Sequence, residues 1–250
     1  MNINFVSIIM PSFNSSKFIE EAIQSVIAQT FTEWELLITD DCSSDNTVEI
    51  IKKYAAHDSR IKLFTLQKNA GAAAARNVSI KNASGRFIAF LDSDDIWLPQ
   101  KLEKQLAFMS EKKSAFSFSA YNIIRENGEK TGKKINVPAQ ISYHKYLKNT
   151  IIGCLTVMID REKTGDFRMP LIQSSHDMAL WLLVMKRGFT AFGLNEPLAS
   201  YRIVSNSNTA KKWKAAKNVW RVYRDFEHLS ILYSAFCFAG YTVNAILKRI

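Results

Sequence analysis

Apolar runs alternate with amphipathic stretches through the first half of the chain, a pattern that predicts repeated βα units around a buried sheet. Val6 to Met10 reads as a buried strand, with Ser15 or Ser16 placed to cap a helix through Gln29. Trp34 to Thr39 predicts a second strand, and a polar turn with Ser43 and Ser44 leads into a helix ending near Ala56. Ile61 to Leu66, the alanine-rich stretch from Gly71 to about Asn82, and Phe87 to Leu91 continue as strand, helix and strand. Pro99 marks the first turn of the next helix.

Beyond Lys113 the pattern loosens. Phe116 to Ile124 and Lys130 to Val137 flank Asn127-Gly128, a hairpin-type turn signal, so a meander is expected there. Tyr143 to Thr150 predicts a short helix, Leu155 to Ile159 a strand, and His176 to Arg187 an amphipathic helix ended by Gly188. A long helical stretch begins near Lys211. The fold class expected is α/β, with a mostly parallel, Rossmann-like central sheet flanked by helices over residues 1–210 and a helical amphipathic tail over 211–250.

Composition narrows the class. With 47% hydrophobic and 22% charged residues in 250, neither a disordered chain nor a polytopic membrane protein is indicated. Cys42, Cys154 and Cys237 are odd in number and widely separated, as in a cytosolic protein with reduced thiols. The start of the chain has no signal-peptide pattern, so export is not expected. The net charge of +10 is concentrated toward the tail, which holds many Lys and Arg but only Asp225 and Glu227 as acids. Such a tail suits a polyanion or an anionic membrane surface. No zinc-finger, RNP or helix-turn-helix pattern accompanies the charge, so nucleic acid is not the expected partner. Ile231 to Leu247 is free of charge but shorter than the ~20 apolar residues of a spanning helix. Ser234, Gly240, Thr242 and Asn244 also interrupt it. It reads as an interfacial helix, the alternative being a helix pair packed on the main domain.

Two acidic sites follow strands and therefore share the carboxyl edge of a parallel sheet, where ligand crevices form. They are Asp40-Asp41 and the run Asp92-Ser93-Asp94-Asp95. The run has the composition of a hard-cation site, since Mg²⁺ or Mn²⁺ takes oxygen ligands and needs few carboxylates when phosphates supply the rest. A helix-capping loop or a calcium loop are the alternatives, although the glycine and terminal glutamate of an EF-hand are absent.

The context of that run is more specific. Ser7 to Asn14, "LITDDCSSDNT" from Leu37 to Thr47, "NAGAAAARN" from Asn69 to Asn77 and "ASGRFIAFLDSDD" from Ala83 to Asp95 occur in this order. Together they closely resemble family 2 glycosyltransferases, inverting enzymes of the GT-A fold, over about Val6 to Arg202. The resemblance implies a nucleotide-binding half at 1–112 and an acceptor half at 113–210. It places Pro11 and Phe13 beside the nucleotide base, with Asp41 or Asp40 accepting a hydrogen bond from it. An ionised carboxylate only accepts, which favours an imide N–H such as uracil's and hence a UDP-sugar. Gly71, Arg76, Asp92 and Ser93 would contact the donor, Asp94 the divalent metal, Mn or Mg. Turn formation and helix capping are the alternative roles for Asp40 and Asp41.

Inverting transfer also needs a base on the face opposite the leaving diphosphate. Asp177, in Ser174-Ser175-His176-Asp177-Met178-Ala179-Leu180-Trp181, is similar to the family's Glu-Asp segment followed by a tryptophan. His176 stands where glutamate is usual and, with Trp181, is a candidate acceptor contact; Trp181 is equally readable as core. Ser174 and Asp177 also have capping-box spacing, which is the alternative role for the acid. Tyr201-Arg202 resembles a pair that precedes a donor-covering loop, placing Arg202 near the diphosphate. The histidine that often follows is replaced by Val204-Ser205-Asn206.

The expected function is therefore transfer of a sugar from a nucleotide diphosphate to a polyprenyl-diphosphate-linked saccharide in surface polysaccharide (O-antigen-like) synthesis. The enzyme would be cytoplasmic and peripheral on the inner membrane face. A non-catalytic nucleotide-sugar-binding subunit is the alternative. A sugar nucleotidyltransferase is disfavoured because its glycine-rich N-terminal phosphate loop is absent.

Overall fold

The computed structural model describes residues 4–172, 174–204 and 212–247. Four parallel strands form its first half: β1 (Val6–Ser12), β2 (Trp34–Asp40), β3 (Ile61–Thr65) and β4 (Phe87–Phe90), in the order β3-β2-β1-β4. The crossovers are α1 (Ile19–Ile27), α2 (Thr47–His57) and α3 (Ala72–Asn82). All residues of β1 and β2 are buried, as expected for parallel strands covered on both faces. Period-two alternation sorts them. Ile8, Met10, Leu36 and Ile38 pack with Ala22, Ile23 and Val26 of α1 and Ile51 of α2. Ile9 and Leu37 face the other way, toward Ala73 and Ile80 of α3.

The second half extends this sheet with mixed strands. It contains β5 (Ile96–Trp97), β6 (Phe116–Ile124), β7 (Lys130–Ile135), β8 (Gln140–Ile141), β9 (Met158–Asp160) and β10 (Ala191–Arg202). The sheet continues β4-β9-β6-β10-β5, with β9 antiparallel to both neighbours and β10 parallel to β6. Its helices are α4 (Lys101–Glu111), α5 (Tyr143–Tyr146), α6 (Arg161–Thr164) and α7 (His176–Lys186). The meander at Asn127-Gly128 is present as the antiparallel β6–β7 pair, with Gly128 at φ 86°. Gly188, at φ 95°, ends α7 with its N–H on the Met185 carbonyl.

Several boundaries differ from expectation. Ser15 does not cap α1; its own N–H donates to Thr47 Oγ1 at 2.8 Å, tying the loop to α2, and the helix begins at Ile19. Pro99 lies ahead of α4, its carbonyl taken by Thr30 N–H at 2.9 Å. The strand expected from Leu155 becomes a 3₁₀ turn, Cys154–Thr156, before β9. Strands β5 and β10 had no counterpart in the hydrophobic pattern.

The tail is two helices, α8 (Lys212–Arg221) and α9 (Ile231–Leu247), separated by a π-helical turn, Val222–Phe226. One face packs on the domain. Val219, Val222, Tyr223 and Cys237 join the same buried cluster as Trp181 and Phe90. Tyr223 donates its hydroxyl to the Leu147 carbonyl, Asn244 Nδ2 reaches the Lys148 carbonyl at 3.0 Å, and Lys186 pairs with buried Glu227 at 2.7 Å. The other face of α9 stays open, with Ile231, Leu232, Phe236 and Val243 all more than half exposed.

Candidate active site

The carboxyl ends of β1, β2 and β4 gather the predicted donor residues at one edge. Pro11 is buried within β1, and Phe13, one residue past its end, leaves 48% of its surface open. Asp40, at the end of β2, is committed to the loops around it: its carboxylate accepts from Ser12 Oγ at 3.1 Å and Ser43 N–H at 2.8 Å. Asp41 is aimed at α3, accepting the backbone N–H groups of Ala70 at 2.7 Å and Gly71 at 2.8 Å. This carboxylate sets the start of the helix. Gly71 adopts φ 88°, a conformation that favours glycine, with open space where a side chain would be.

Asp92 to Asp95 form a tight turn closed by the Asp95 N–H on the Asp92 carbonyl at 3.1 Å. Ser93 is half-buried on it. Arg202 grips this turn from beneath rather than lining the crevice. Its backbone N–H donates to Asp95 at 2.9 Å and its Nε to the Asp94 carbonyl at 2.8 Å. The remaining guanidinium bonds go to the Glu126 carbonyl and Glu21. At 2% exposure the side chain anchors the turn, which corrects the expectation of a diphosphate contact. Residues 205 and 206, where the following histidine is replaced, lie outside the described residues.

Three carboxyls in one turn repel. Burial and then the neighbouring Asp92 push Asp94 up to about 6. Burial, Asp94 and Asp92 hold Asp95 well above the ordinary carboxylate range. Among the described residues the Asp94 carboxylate takes no hydrogen bond from another residue, so its charge is the one a cation would relieve. No trio of His, Cys, Asp or Glu is arranged to hold a metal among the described residues. The uncommitted carboxylate of Asp94 is compatible with a hard cation that would complete its shell with phosphate oxygens.

Arg76 joins the two sides of the crevice. Its guanidinium, in a side chain only 5% exposed overall, pairs with Asp92 through one nitrogen and meets His176 Nε2 at 2.7 Å through another. Burial opposes its charge, but Asp92 and then Asp177 hold it firmly protonated. Burial and Arg76 in turn push the His176 pKa down, leaving the ring neutral as an acceptor. His176 is therefore tied to Arg76, and through it to Asp92. Trp181 is also corrected: it is fully buried against Phe90 and Phe116, with ring centroids at 5.3 and 5.5 Å, and is core.

Asp177 follows His176 in the first turn of α7. The capping box is not formed, because Ser175 occupies the cap in a left-handed conformation without a side-chain bond. Among the described residues the Asp177 carboxylate has no hydrogen-bond partner. It opens instead on a cavity of about 250 Å³ shared with Tyr146, Thr150 and Tyr241. Buried Cys154 is close enough to Arg76, Asp92 and Asp177 to feel all three charges. None of these four neighbours carried a sequence signal, since each comes from a segment with no motif of its own.

A sequence model described as "Glycosyl transferase family 2" matches residues 7–165. A Bacillus subtilis protein named "Putative teichuronic acid biosynthesis glycosyltransferase TuaG" is 50% identical over 245 residues, 98% of this chain and 97% of its own. The Escherichia coli UDP-Glc:alpha-D-GlcNAc-diphosphoundecaprenol beta-1,3-glucosyltransferase WfgD is 45% identical over 222 residues, 88% of this chain and 86% of its own. Among solved structures, Staphylococcus aureus TarS 1–349 in complex with UDP-GlcNAc superposes with a TM-score of 0.73 at 22% identity, over 95% of this chain and 71% of that one. The fold is that of the GT-A glycosyltransferases.

Proposed function

The chain belongs to glycosyl transferase family 2, and from that premise we propose that it moves a sugar from a UDP-sugar to a hydroxyl of a lipid-linked saccharide, with inversion. The observation that supports the reading is the Asp92–Arg76–His176 chain, because it links the acidic turn to the residue directly before Asp177. A base so placed can take the acceptor hydroxyl's proton on the face opposite the departing diphosphate.

Phe13 offers an open ring beside the base site. The Asp41 oxygens keep lone pairs beyond those taken by Ala70 and Gly71, so an imide N–H can still be accepted. Arg76 holds Asp92 in place for the ribose or sugar hydroxyls. Asp94 would hold Mg²⁺ or Mn²⁺, which when bound supplies positive charge to the leaving diphosphate. The carboxylate of Asp177, hydrogen-bonded to no other side chain among the described residues, keeps its lone pairs open to an acceptor hydroxyl. A lipid-linked acceptor is supported by the activity for which the E. coli relative is named, on a diphosphoundecaprenol-linked sugar. An acceptor of that class would put the protein at the inner membrane face, in surface polysaccharide synthesis.

The test incubates the full-length protein with Mn²⁺ or Mg²⁺, a panel of UDP-sugars and polyprenyl-diphosphate-linked sugars, and follows free UDP and glycolipid product. Asp177→Asn should lower kcat by about 10²–10⁴-fold, the range for losing a general base, with donor affinity kept. Asp94→Asn should abolish the response to added metal. Turnover that survives Asp177→Asn would remove the base assignment. Nucleotide binding without any UDP release would instead leave a non-catalytic binding subunit.

A further inference from the structure

The tail does more than cover apolar surface. Ala215 and Val219 of α8 and Tyr241 of α9 line the same cavity as Asp177, opposite Tyr146 and Thr150 of the domain. Without α8 and α9 this space would be an open slope on the side of α7. We propose that the two tail helices form the outer wall of the acceptor-sugar subsite, with Tyr241 the contact through which the tail selects the acceptor. This rests on the reading of Asp177 as the base.

Three observations carry it. First, the wall is fixed in place: Asn244 binds the Lys148 carbonyl at 3.0 Å, His144 Nδ1 meets Tyr233 Oη at 2.9 Å, and Tyr223 holds the Leu147 carbonyl. These bonds bracket α5 and the loop after it, so Tyr146 and Thr150 are held in register with Tyr241. Gly240 fits the same contact. A Cβ there would lie 3.0 Å from that of Lys148, so the residue next to Tyr241 is small where the helix approaches most closely.

Second, the chemistry of the lining suits a neutral saccharide. Hydroxyls from Ser174, Ser175, Thr150 and two tyrosines surround the cavity, and among the described residues Asp177 is the only charged group that lines it. Aromatic faces with hydroxyl rims bind sugar rings, whereas a phosphate would call for Arg or Lys. Third, the location divides the site. Asp92 and Arg76 meet His176, whereas the cavity is lined by its neighbours Ser174, Ser175 and Asp177 and by none of those three, and about 250 Å³ is on the scale of one sugar ring.

The full-length protein tests this with a short-chain, water-soluble diphosphate-linked acceptor, in the absence of vesicles so that membrane capture plays no part. Tyr241→Ala should raise the acceptor KM at least tenfold with kcat changed less than threefold and donor KM changed less than twofold. Ala215→Leu, which fills the cavity from the opposite helix, should produce the same split, and Tyr241→Phe should recover most of the loss if the ring is the contact. Acceptor KM unchanged in both Tyr241→Ala and Ala215→Leu, with melting temperatures close to the parent, would overturn the proposal. Failure of the underlying reading shows separately: Asp177→Asn would then keep its turnover whatever the tail variants do.

Discussion

Lys101 is the residue whose chemistry is least expected from its surroundings. It is fully buried, its Nζ has no hydrogen-bond partner, and it sits 3.8 Å from the centroid of the Trp97 ring. Burial drives its pKa well below the usual lysine value, so the folded state favours the neutral amine. The unfolded chain binds a proton there below about pH 10.4, and the folded chain resists it. Stability from this group is therefore lost progressively as pH falls from that value toward the folded pKa. Lys101→Met should stabilise by roughly 1–3 kcal/mol, at about 2–4 °C of melting temperature per kcal/mol for a chain of this size. The gain should shrink as the melt is moved from pH 7 to pH 10. A gain independent of pH would mean that volume, not charge, sets the effect.

At the scale of elements, the N-terminal ends of β1 and β4 are joined more tightly than a strand pair requires. Gly85 donates to Ser7 Oγ at 2.8 Å, and Ser7 in turn donates to buried Glu35 at 2.7 Å. A Cβ on Gly85 would stand 2.6 Å from the Ser7 nitrogen and 2.7 Å from the Phe5 carbonyl oxygen, both backbone atoms. Gly85→Ala must therefore shift one strand against the other. We expect a loss of about 1–3 kcal/mol, the usual cost of overpacking, read as a lowered denaturation midpoint in urea. An unchanged midpoint would show that the loop moves freely.

This region was legible in the sequence because β1, β2 and β4 are short, parallel and buried along their length, so each prints a compact apolar run, and the edge strand β3 keeps Ile61, Leu63 and Phe64 interspersed with polar residues. Strand β10 was not. Asn195, Glu196 and Pro197 interrupt it, and its pairing with β6 shifts register on either side of Pro197, so the alternation breaks where the strand bends. The same contrast holds in the site. Asp94 and Asp177 belong to motifs, but Arg202 and His176 could be assigned only once their partners were visible, because those partners lie at least 76 residues away. Trp181 shows the opposite error: a motif position whose side chain serves packing alone.

The whole molecule brings charge and apolar surface together at the tail. No described helix is long and apolar enough to cross a membrane. Yet Ile231, Leu232, Phe236 and Val243 share one side of α9 and are 65%, 85%, 59% and 56% exposed, while the opposite side carries Cys237 into the core. An apolar stripe on a chain of net charge +10, with most tail charges basic, is the arrangement of a helix lying in an anionic interface. That reading commits the stripe to a bilayer and adds a constraint: α9 would be pinned by lipid on one side while Tyr241 faces the Asp177 cavity on the other. Leu232→Ser with Phe236→Ser should reduce co-sedimentation with vesicles containing anionic lipid by about tenfold or more, since burial of each large side chain contributes on the order of 1.5–3 kcal/mol. Binding of the parent protein should weaken with added salt, as a partly electrostatic attachment must. Both positions are more than half exposed, so the melting temperature should change by no more than the loss of the Lys148–Phe236 contact at 4.2 Å accounts for. Vesicle binding unchanged by the double substitution would assign the stripe to another partner.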